Sequence, residues 1–397
     1  TTNCLVKIAG YLYNKKQEEA TSEIKCLEDK YLKVADELYS TENAKIKGRE
    51  IIKNHFGQLL GFSANLFTIF EERIILAQGE LLSTALMQLY CEEAGIAAEL
   101  LPALNFMRID RNGEPDNYYI KEQIGRELEK YPDTKLFITQ GYICRNVSGG
   151  IDNLKRGGSD YSASLIGKAI EADEIQIWTD IDGFHNNDPR FVNNTKAISE
   201  LSFDEAAELA YFGAKILHPA SVWPAQEANI PVLLKNTMDT AAKGTLISSK
   251  TGGEGIKAIA AKDDITAIKI KSGRMLMAYG FLRKVFEIFE SYQTPIDMIT
   301  TSEIAVSLTI DDTAHLEKIA EELRHYGTVE IDTNMTIICI VGQNIMHSKD
   351  SISKVFNALD KVPVRMISYG GSRHNISILT DKEHKSEALN QLHVHLF

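Results

Sequence analysis

The sequence predicts an α/β protein with a mostly parallel sheet between helix layers, followed by two smaller α+β modules. Short apolar runs alternate with amphipathic helical patterns through the first 248 residues, which is typical of a parallel sheet covered on both faces. A glycine pair, Gly157-Gly158, lies between two such runs. Beyond residue 262 the sequence nearly repeats itself, which indicates a duplicated unit. The predicted domains are residues 1–248, a linker at 249–262 and a regulatory region at 263–397.

The first third of the chain is predicted to be largely helical. Residues Leu5 to Phe70 carry apolar side chains near helical spacing, and the charged stretch 14–40 predicts a solvated helical face. The predicted strands are Arg73–Ala77, Ala97–Leu101, Phe106–Ile109, Lys135–Gln140, Glu174–Trp178 and Ile230–Leu234, and the predicted helices include Leu81–Glu93 and Asp116–Tyr131. Glu80 would then lie between a strand and a helix, where substrate contacts and helix starts are both common.

The stretch from Leu154 to Arg190 is the part around which the chain is organised. Gly157 and Gly158 have no Cβ, so the backbone can turn sharply and approach a ligand closely. Ser159 is a favoured N-cap for the helix that follows, and the free N–H groups of a helix start attract phosphate. The next strand leads to Thr179 and Asp180, at the edge where open α/β sheets bind ligands. The stretch predicts a nucleotide-phosphate site beside an acidic group, with an ordinary turn as the alternative.

Other charged residues have both a functional and a structural interpretation. Asp180 could order a lysine or Mg²⁺ against phosphate oxygens, or it could cap a helix. Arg190 follows a rigid Asp-Pro turn and could reach a phosphate, or it could be a surface residue. Lys215 lies near a helix end, where a cation suits the dipole in any case. Arg156, just before the glycines, could pair with a substrate carboxylate through two hydrogen bonds.

A capping signal and a linker signal follow this stretch. Ser202 and Glu205 are three residues apart and predict a capping box at the start of a helix. Pro219 fits the stop of that helical segment. Gly244–Gly255 is rich in Gly, Ser and Thr and predicts a hinge or linker.

The C-terminal region contains two similar segments. Lys284-Val285-Phe286 recurs 70 residues later as Lys354-Val355-Phe356, and Ser307 recurs as Ser377. Self-similarity at one offset is the mark of a duplicated unit. Each unit is predicted to run strand, helix, strand, strand and helix.

The composition excludes several classes of protein. The chain has 397 residues, 44% of them hydrophobic and 25% charged, with a net charge of −12. No basic block is present, so a nucleic-acid partner is not expected. The five cysteines show no CxxC spacing, which favours a reducing cytoplasm over a disulfide framework or a zinc site. No uninterrupted apolar run reaches the roughly 18 residues of a membrane span, so no membrane partner is expected.

Several motifs together resemble the aspartate kinase family. They are LKRGGSDYSASLIG, IWTDIDGFHNNDPR, FDEAAELAYFGAKILHPA, PIDMITTSE, QGELLST and FITQGYI. The resemblance implies an amino-acid-kinase fold and transfer of the ATP γ-phosphoryl group to the β-carboxylate of L-aspartate, giving 4-phospho-L-aspartate for lysine, threonine and methionine biosynthesis. It also implies that the two repeats are ACT modules that bind L-lysine as a feedback inhibitor and assemble the chain as a homodimer or larger oligomer, and it implies ATP and Mg²⁺ as cofactors.

The resemblance also assigns roles to individual residues. The implied catalytic residues are Arg156, Gly157, Gly158, Ser159 and Asp160, and the implied aspartate contacts are Thr2, Glu80, Arg156 and Ser159. The implied nucleotide contacts are Thr179, Asp180, His185, Arg190, Lys215 and Ile216. The implied lysine contacts are Met275, Ala278, Gly280, Phe281, Leu282, Asp297, Thr301, Ser302 and Glu303. No residue is implied as a ligand of a resident metal.

The sequence departs from the family pattern at two places. The family's first strand and its K-F-G-G-T-S loop are not in this sequence, and we expect them in a longer chain. The family's T-T-L before the glycines is here Asp152-Asn153-Leu154-Lys155. Two alternatives therefore stay open: an ACT-type amino-acid sensor that has lost catalysis, and another amino-acid kinase of the same fold.

Overall fold

The computed structural model describes residues 1–62, 67–154, 157–213, 217–250, 253–273, 279–347 and 350–397. Its contacts divide the chain into two compact units. The first unit comprises Thr1–Ile175 with Ala220–Ile230, and the second comprises Gln176–Pro219 with Pro231–Phe397.

The first unit begins with four helices that pack on one another. They are α1 (Thr2–Tyr13), α2 (Gln17–Leu38), α3 (Glu42–Phe62) and α4 (Ile69–Glu93). Their apolar stripes meet in one core that includes Ile24, Ile52 and Ile75, each fully buried. The predicted helical character of the first 70 residues is therefore confirmed in the described part of that stretch.

The strand predicted at Arg73–Ala77 is wrong, because these residues lie inside α4. The local run of Ile and Leu fits either a strand or a helix. A capping box decides the outcome: Thr68 accepts a hydrogen bond from the first turn, and Glu71 accepts one from the Thr68 amide. A helix that starts there continues through Glu80.

Helix α4 is also long and apolar enough to cross a membrane by length and composition alone. It carries Glu71, Glu72 and Arg73 in its first two turns. Its residues Ile75 and Leu82 are buried in the helical core. We therefore interpret α4 as a core helix.

The rest of the first unit is a smaller α/β layer. Its strands are β1 (Glu99–Leu101), β2 (Phe137–Thr139), β3 (Ile143–Arg145) and β4 (Ile151–Asn153), and its helices are α5 (Asn117–Glu129) and α6 (Gly158–Ala169). Strands β1 and β2 pair in parallel, whereas β3 and β4 pair antiparallel. The strand predicted at Phe106–Ile109 is not a named strand; it follows a 3-10 turn at Ala103–Asn105 and forms isolated bridges.

The second unit begins with a four-stranded sheet and a helix. Its elements are β5 (Ile175–Thr179), β6 (Glu200–Ser202), α7 (Phe203–Tyr211), β7 (Val232–Asn236) and β8 (Thr245–Ser248), with α8 (Pro219–Ala228) between α7 and β7. The strand order is β5-β7-β8-β6, with β6 and β8 parallel and β7 and β8 antiparallel. The capping box predicted for α7 is confirmed: Ser202 accepts from the Glu205 amide, and the Glu205 carboxylate accepts from the Ser202 amide.

The C-terminal region forms one six-stranded antiparallel sheet. Its elements are β9 (Gly255–Lys271), α9 (Phe281–Ser291), β10 (Ile299–Thr301), β11 (Ala305–Ile310), α10 (Leu316–Arg324), β12 (Thr328–Gln343), α11 (Ser351–Ala358), β13 (Met366–Tyr369), β14 (Asn375–Asp381) and α12 (Lys385–Leu396). The strand order is β10-β11-β9-β12-β14-β13. Each repeat runs strand, helix, strand, strand, helix, as predicted from the duplication.

The long strands β9 and β12 are shared by both repeats. Ala267 to Lys271 of β9 pairs with the start of β12 and with β11, in the first repeat. Gly255 to Lys262 pairs with the end of β12, in the second repeat. The linker predicted at 249–262 is therefore wrong from Gly255 onward. Its partner strand lies about 80 residues away, so no local signal could identify it as a strand.

Candidate active site and effector site

The glycine pair forms the start of α6. Gly157 is its N-cap, with φ of +74°, a left-handed conformation that favours glycine. Ser159 was predicted as the N-cap, but it lies in the first turn, and the cap position has no side-chain hydrogen bond. Tyr161 donates to the Gly157 carbonyl at 2.8 Å. The amides before Tyr161 belong to the helix start, where backbone N–H groups are available to an anion.

The turn between β2 and β3 supports this helix start. A Cβ at Gly158 would lie 2.5 Å from a ring carbon of Tyr142, and a Cβ at Gly141 would lie 3.0 Å from Cα of Ser159. The Ser162 hydroxyl donates to the Gly158 carbonyl at 2.7 Å and accepts from the Tyr142 amide at 2.9 Å. The glycines are therefore required for close packing of the two backbones.

Two half-buried carboxylates lie in this region. Burial raises the pKa of Glu80 and, separately, that of Asp160. Burial also raises the pKa of Tyr142, with smaller contributions from nearby acids that include Glu80. Glu80 lies in the middle of α4 and not after a strand. The described residues provide no hydrogen bond or ion pair to either carboxylate, which is unusual for partly buried acids.

The start of α1 packs beside Glu80. A Cβ at Gly79 would lie 3.3 Å from side-chain carbons of both Thr1 and Leu5. Thr2 is the first residue of α1 and is exposed. The structure therefore brings the predicted aspartate contacts Thr2 and Glu80 to the same part of the first unit.

Some predicted site residues cannot be placed. The residues outside the described ranges are Arg156, Lys215, Ile216, Met275 and Ala278. Their roles remain predictions from the sequence.

The predicted nucleotide contacts of the second unit lie at and after the end of β5. The Thr179 hydroxyl donates to the Asp180 carboxylate at 3.1 Å, and the Thr179 carbonyl accepts from the Thr237 amide at 2.7 Å. The ring of His185 is half-buried between Asp182 and Thr195, with nitrogen-to-oxygen distances of 2.9 and 3.0 Å. The hydrogen bond with His185 lowers the pKa of Asp182.

Arg190 extends from the turn that was predicted at Asp188-Pro189. Its guanidinium donates to both carboxylate oxygens of Asp188, at 2.9 and 2.7 Å. The Arg190 side chain is nevertheless 76% exposed. A phosphate could therefore approach it without displacing core residues.

The predicted lysine contacts are found in the first repeat. Gly280, with φ of +84°, is the N-cap of α9, and Phe281 is buried while Leu282 is exposed. Thr301 ends β10 and Ser302 closes the turn into β11 by donating its amide to the Ala305 carbonyl at 2.8 Å. Glu303, in that turn, is exposed.

Asp297 has partners that the sequence did not indicate. Its Oδ1 accepts from Lys262 Nζ and from the Tyr211 hydroxyl, each at 2.8 Å. Lys262 also pairs with Asp311 at 2.8 Å. Tyr211 and Asp297 are 86 residues apart, and neither residue carries a local motif for the contact.

The described residues contain no group of three or more His, Cys, Asp or Glu side chains that could hold a metal ion. Comparison with family models identifies the class of protein. Residues 19–236 match the amino acid kinase family, and residues 338–396 match an ACT domain. The fold is thus that of an amino acid kinase with an ACT regulatory region.

Individual relatives identify the family within this class. Lysine-sensitive aspartokinase 3 of Escherichia coli is 36% identical over 335 residues, which cover 81% of this chain and 75% of the relative. Aspartokinase 3, chloroplastic, of Arabidopsis thaliana is 39% identical over 260 residues, which cover 62% of this chain and 46% of the relative. The chain belongs to the aspartokinase family.

Solved structures agree with this assignment. The crystal structure of E. coli aspartokinase III in complex with aspartate and ADP (R-state) matches with a TM-score of 0.85 at 32% identity, covering 100% of this chain and 90% of that one. The structure of the same enzyme in complex with lysine and aspartate (T-state) matches with a TM-score of 0.79 at 30% identity and the same coverage. The amino-acid-kinase fold followed by ACT modules is confirmed.

Proposed function

We propose that this protein transfers the γ-phosphoryl group of ATP to the β-carboxylate of L-aspartate and releases 4-phospho-L-aspartate and ADP. One observation carries the proposal. A glycine helix start suited to phosphate lies in the same unit as Glu80, a half-buried carboxylate that no described residue neutralises. The names of the relatives and the aspartate and ADP complex of E. coli aspartokinase III support it.

The first unit holds the amino-acid substrate in this proposal. The Glu80 carboxylate accepts hydrogen bonds from the α-ammonium group of aspartate, which provides the missing counter-charge. Arg156 pairs with a substrate carboxylate, and Thr2 and Ser159 add hydrogen bonds. These contacts orient the β-carboxylate for attack, and orientation is the main contribution a phosphotransferase makes.

The glycine helix start stabilises the transferring group. A β-carboxylate oxygen forms a bond to the γ-phosphorus while the bond to the β,γ-bridging oxygen breaks, so negative charge shifts onto ADP. The amides of Gly157 and Gly158 and the Ser159 hydroxyl donate to the transferring oxygens. Asp160, kept partly protonated by its raised pKa, orders the basic residues around them.

The remaining nucleotide contacts are assigned to the second unit. Thr179, Asp180 and His185 bind the nucleoside side, and Arg190 donates to phosphate oxygens, as do Lys215 and the backbone at Ile216. Mg²⁺ enters as part of the MgATP substrate, bridging its phosphates. The exposed guanidinium of Arg190 supports this assignment.

We further propose that L-lysine inhibits the enzyme by binding at the first ACT module. The start of α9, Asp297 and the turn from Thr301 to Glu303 supply its contacts, and ACT modules pair the chain into a homodimer or larger oligomer. All five cysteines are free, which supports a cytoplasmic enzyme in a reducing compartment. This step is the first reaction of lysine, threonine and methionine biosynthesis.

A hydroxamate assay tests the proposal. The protein is incubated with MgATP and hydroxylamine, and with aspartate, glutamate or no acceptor, each with and without lysine. We expect aspartate β-hydroxamate only with aspartate, and less of it with lysine. Equal product with glutamate would indicate another amino-acid kinase of this fold. Lysine binding without product from any acceptor would indicate an amino-acid sensor.

A further inference from the structure

Helix α7 ends on the carboxylate to which the lysine effector is assigned. Tyr211, the last residue of α7, donates its hydroxyl to Asp297 Oδ1 at 2.8 Å. Burial, followed by the charge of Asp297, raises the pKa of Tyr211, so the phenol remains a donor at neutral pH. A helix of the kinase sequence is thus hydrogen-bonded directly to the first ACT module.

A lysine of the chain itself already occupies this carboxylate. Lys262 Nζ lies 2.8 Å from Asp297 Oδ1 and 2.8 Å from Asp311 Oδ2, and 4.6 Å from the centre of the Tyr211 ring. We call Tyr211, Lys262, Asp297 and Asp311 the Asp297 cluster. It holds two carboxylates, one ammonium group and one phenol, so it is a cation site with an internal cation.

Asp297 retains capacity for one more donor. Its side chain is only 1% exposed, and its Oδ2 atom is buried without a hydrogen bond from any described residue. A buried carboxylate oxygen without a donor is costly and uncommon in folded proteins. An ammonium group that approaches Asp297 must take Oδ2 or replace Lys262, and either change alters the hydrogen bond from Tyr211.

The chain after Tyr211 leads directly to the nucleotide contacts. Gly213 has φ of +116°, and a Cβ there would overlap the carbonyl of Ala261, the neighbour of Lys262 on β9. The backbone after α7 is therefore pressed against the strand that carries Lys262. Lys215, assigned to ATP, follows Tyr211 by four residues in the sequence.

We propose that the Tyr211 hydroxyl is the positioning contact through which an ammonium effector at Asp297 changes the binding of ATP by residues 212–217. This inference rests on the proposed function, because it takes lysine as the effector and ATP as the nucleotide. Tyr211 touches neither ligand in this scheme. It reports the occupancy of Asp297 to the segment that contains Lys215.

The test compares Tyr211→Phe with the parent protein and with the control Tyr292→Phe. Phenylalanine keeps the ring under Lys262 and removes only the hydroxyl. Tyr292 is also in the first repeat, and its hydroxyl donates to Glu322 at 2.6 Å, away from the Asp297 cluster. Lysine affinity is measured by calorimetry, and the KM for ATP and for aspartate with and without saturating lysine.

We expect lysine to change kcat/KM for ATP by roughly tenfold or more in the parent and the control, which is the usual range of allosteric coupling. In Tyr211→Phe we expect that change to fall to about twofold, with lysine affinity within about threefold of the parent. The KM for aspartate without lysine should stay at the parent value, since the Asp297 cluster and the aspartate contacts belong to different units.

The possible failures are distinguishable. Equal lysine inhibition in Tyr211→Phe and the parent would overturn the Tyr211 inference and leave the proposed function intact. Loss of lysine binding in Tyr211→Phe would also overturn it, because the hydroxyl would then be a binding contact. If lysine neither binds nor inhibits the parent, the proposed regulation fails together with this inference, while aspartate phosphorylation is judged separately by the hydroxamate assay.

Discussion

Replacing Glu80 by glutamine separates a substrate-binding carboxylate from a structural one. Glu80 is half-buried in α4, and burial raises its pKa. Glutamine keeps the shape and removes the charge. A hydrogen bond to a charged group contributes about 1.5–3 kcal/mol, and each 1.36 kcal/mol is about tenfold in rate. We therefore expect Glu80→Gln to lower kcat/KM for aspartate by roughly 10- to 150-fold, with the KM for ATP unchanged.

The same substitution should not destabilise the free protein. A carboxyl group whose folded pKa is raised destabilises the folded state above that raised pKa, and the penalty disappears below the unfolded pKa. Glu80→Gln should therefore unfold at an equal or higher urea concentration than the parent at about pH 8, and the difference should shrink toward about pH 5. Saturating aspartate should stabilise the parent and fail to stabilise the variant.

The assay pairs urea unfolding with steady-state hydroxamate kinetics. Glu129→Gln is the control, because Glu129 is exposed at the end of α5 and should change neither measurement. A variant with unchanged aspartate kinetics would refute the role of Glu80 in binding the substrate ammonium. A variant that is strongly destabilised without ligand would instead identify Glu80 as a structural residue.

Two further substitutions test the phosphate contacts. Gly158→Ala places a Cβ 2.5 Å from a ring carbon; we expect a loss of about 1–3 kcal/mol in stability and a lower kcat, whereas Gly125→Ala, where a Cβ meets nothing within 4 Å, should not lower stability, and equal thermal unfolding of the two variants would contradict the packing argument. Arg190→Ala should raise the KM for ATP roughly tenfold through the loss of a charge-assisted hydrogen bond and leave the aspartate KM unchanged, whereas removing the exposed Arg283 should change neither; an unaltered ATP KM would show that Arg190 is only a surface residue.

Features with a local cause could be predicted from the sequence. The capping box at Ser202 and Glu205 was readable because its two partners are three residues apart. The duplication was readable because Lys354-Val355-Phe356 repeats an earlier tripeptide, and α9 and α11 occupy equivalent places in the two repeats. The glycine pair also predicted a helix start correctly, although the cap is Gly157 and not Ser159.

Features with a distant cause could not be predicted. Residues 255–262 are rich in small and charged side chains, and they form a strand because the end of β12 pairs with them. The apolar run at Arg73–Ala77 is helical because of a cap that precedes it. The contact between Tyr211 and Asp297 depends on how α7 packs against the C-terminal sheet, which no spacing in the sequence specifies.

The most direct measurement is a crystal structure with aspartate and a non-hydrolysable ATP analogue bound. The account predicts the substrate ammonium within about 3.2 Å of a Glu80 oxygen, and a terminal phosphate oxygen within about 3.2 Å of the Gly158 amide. Aspartate bound away from Glu80, or phosphates bound away from the start of α6, would contradict it.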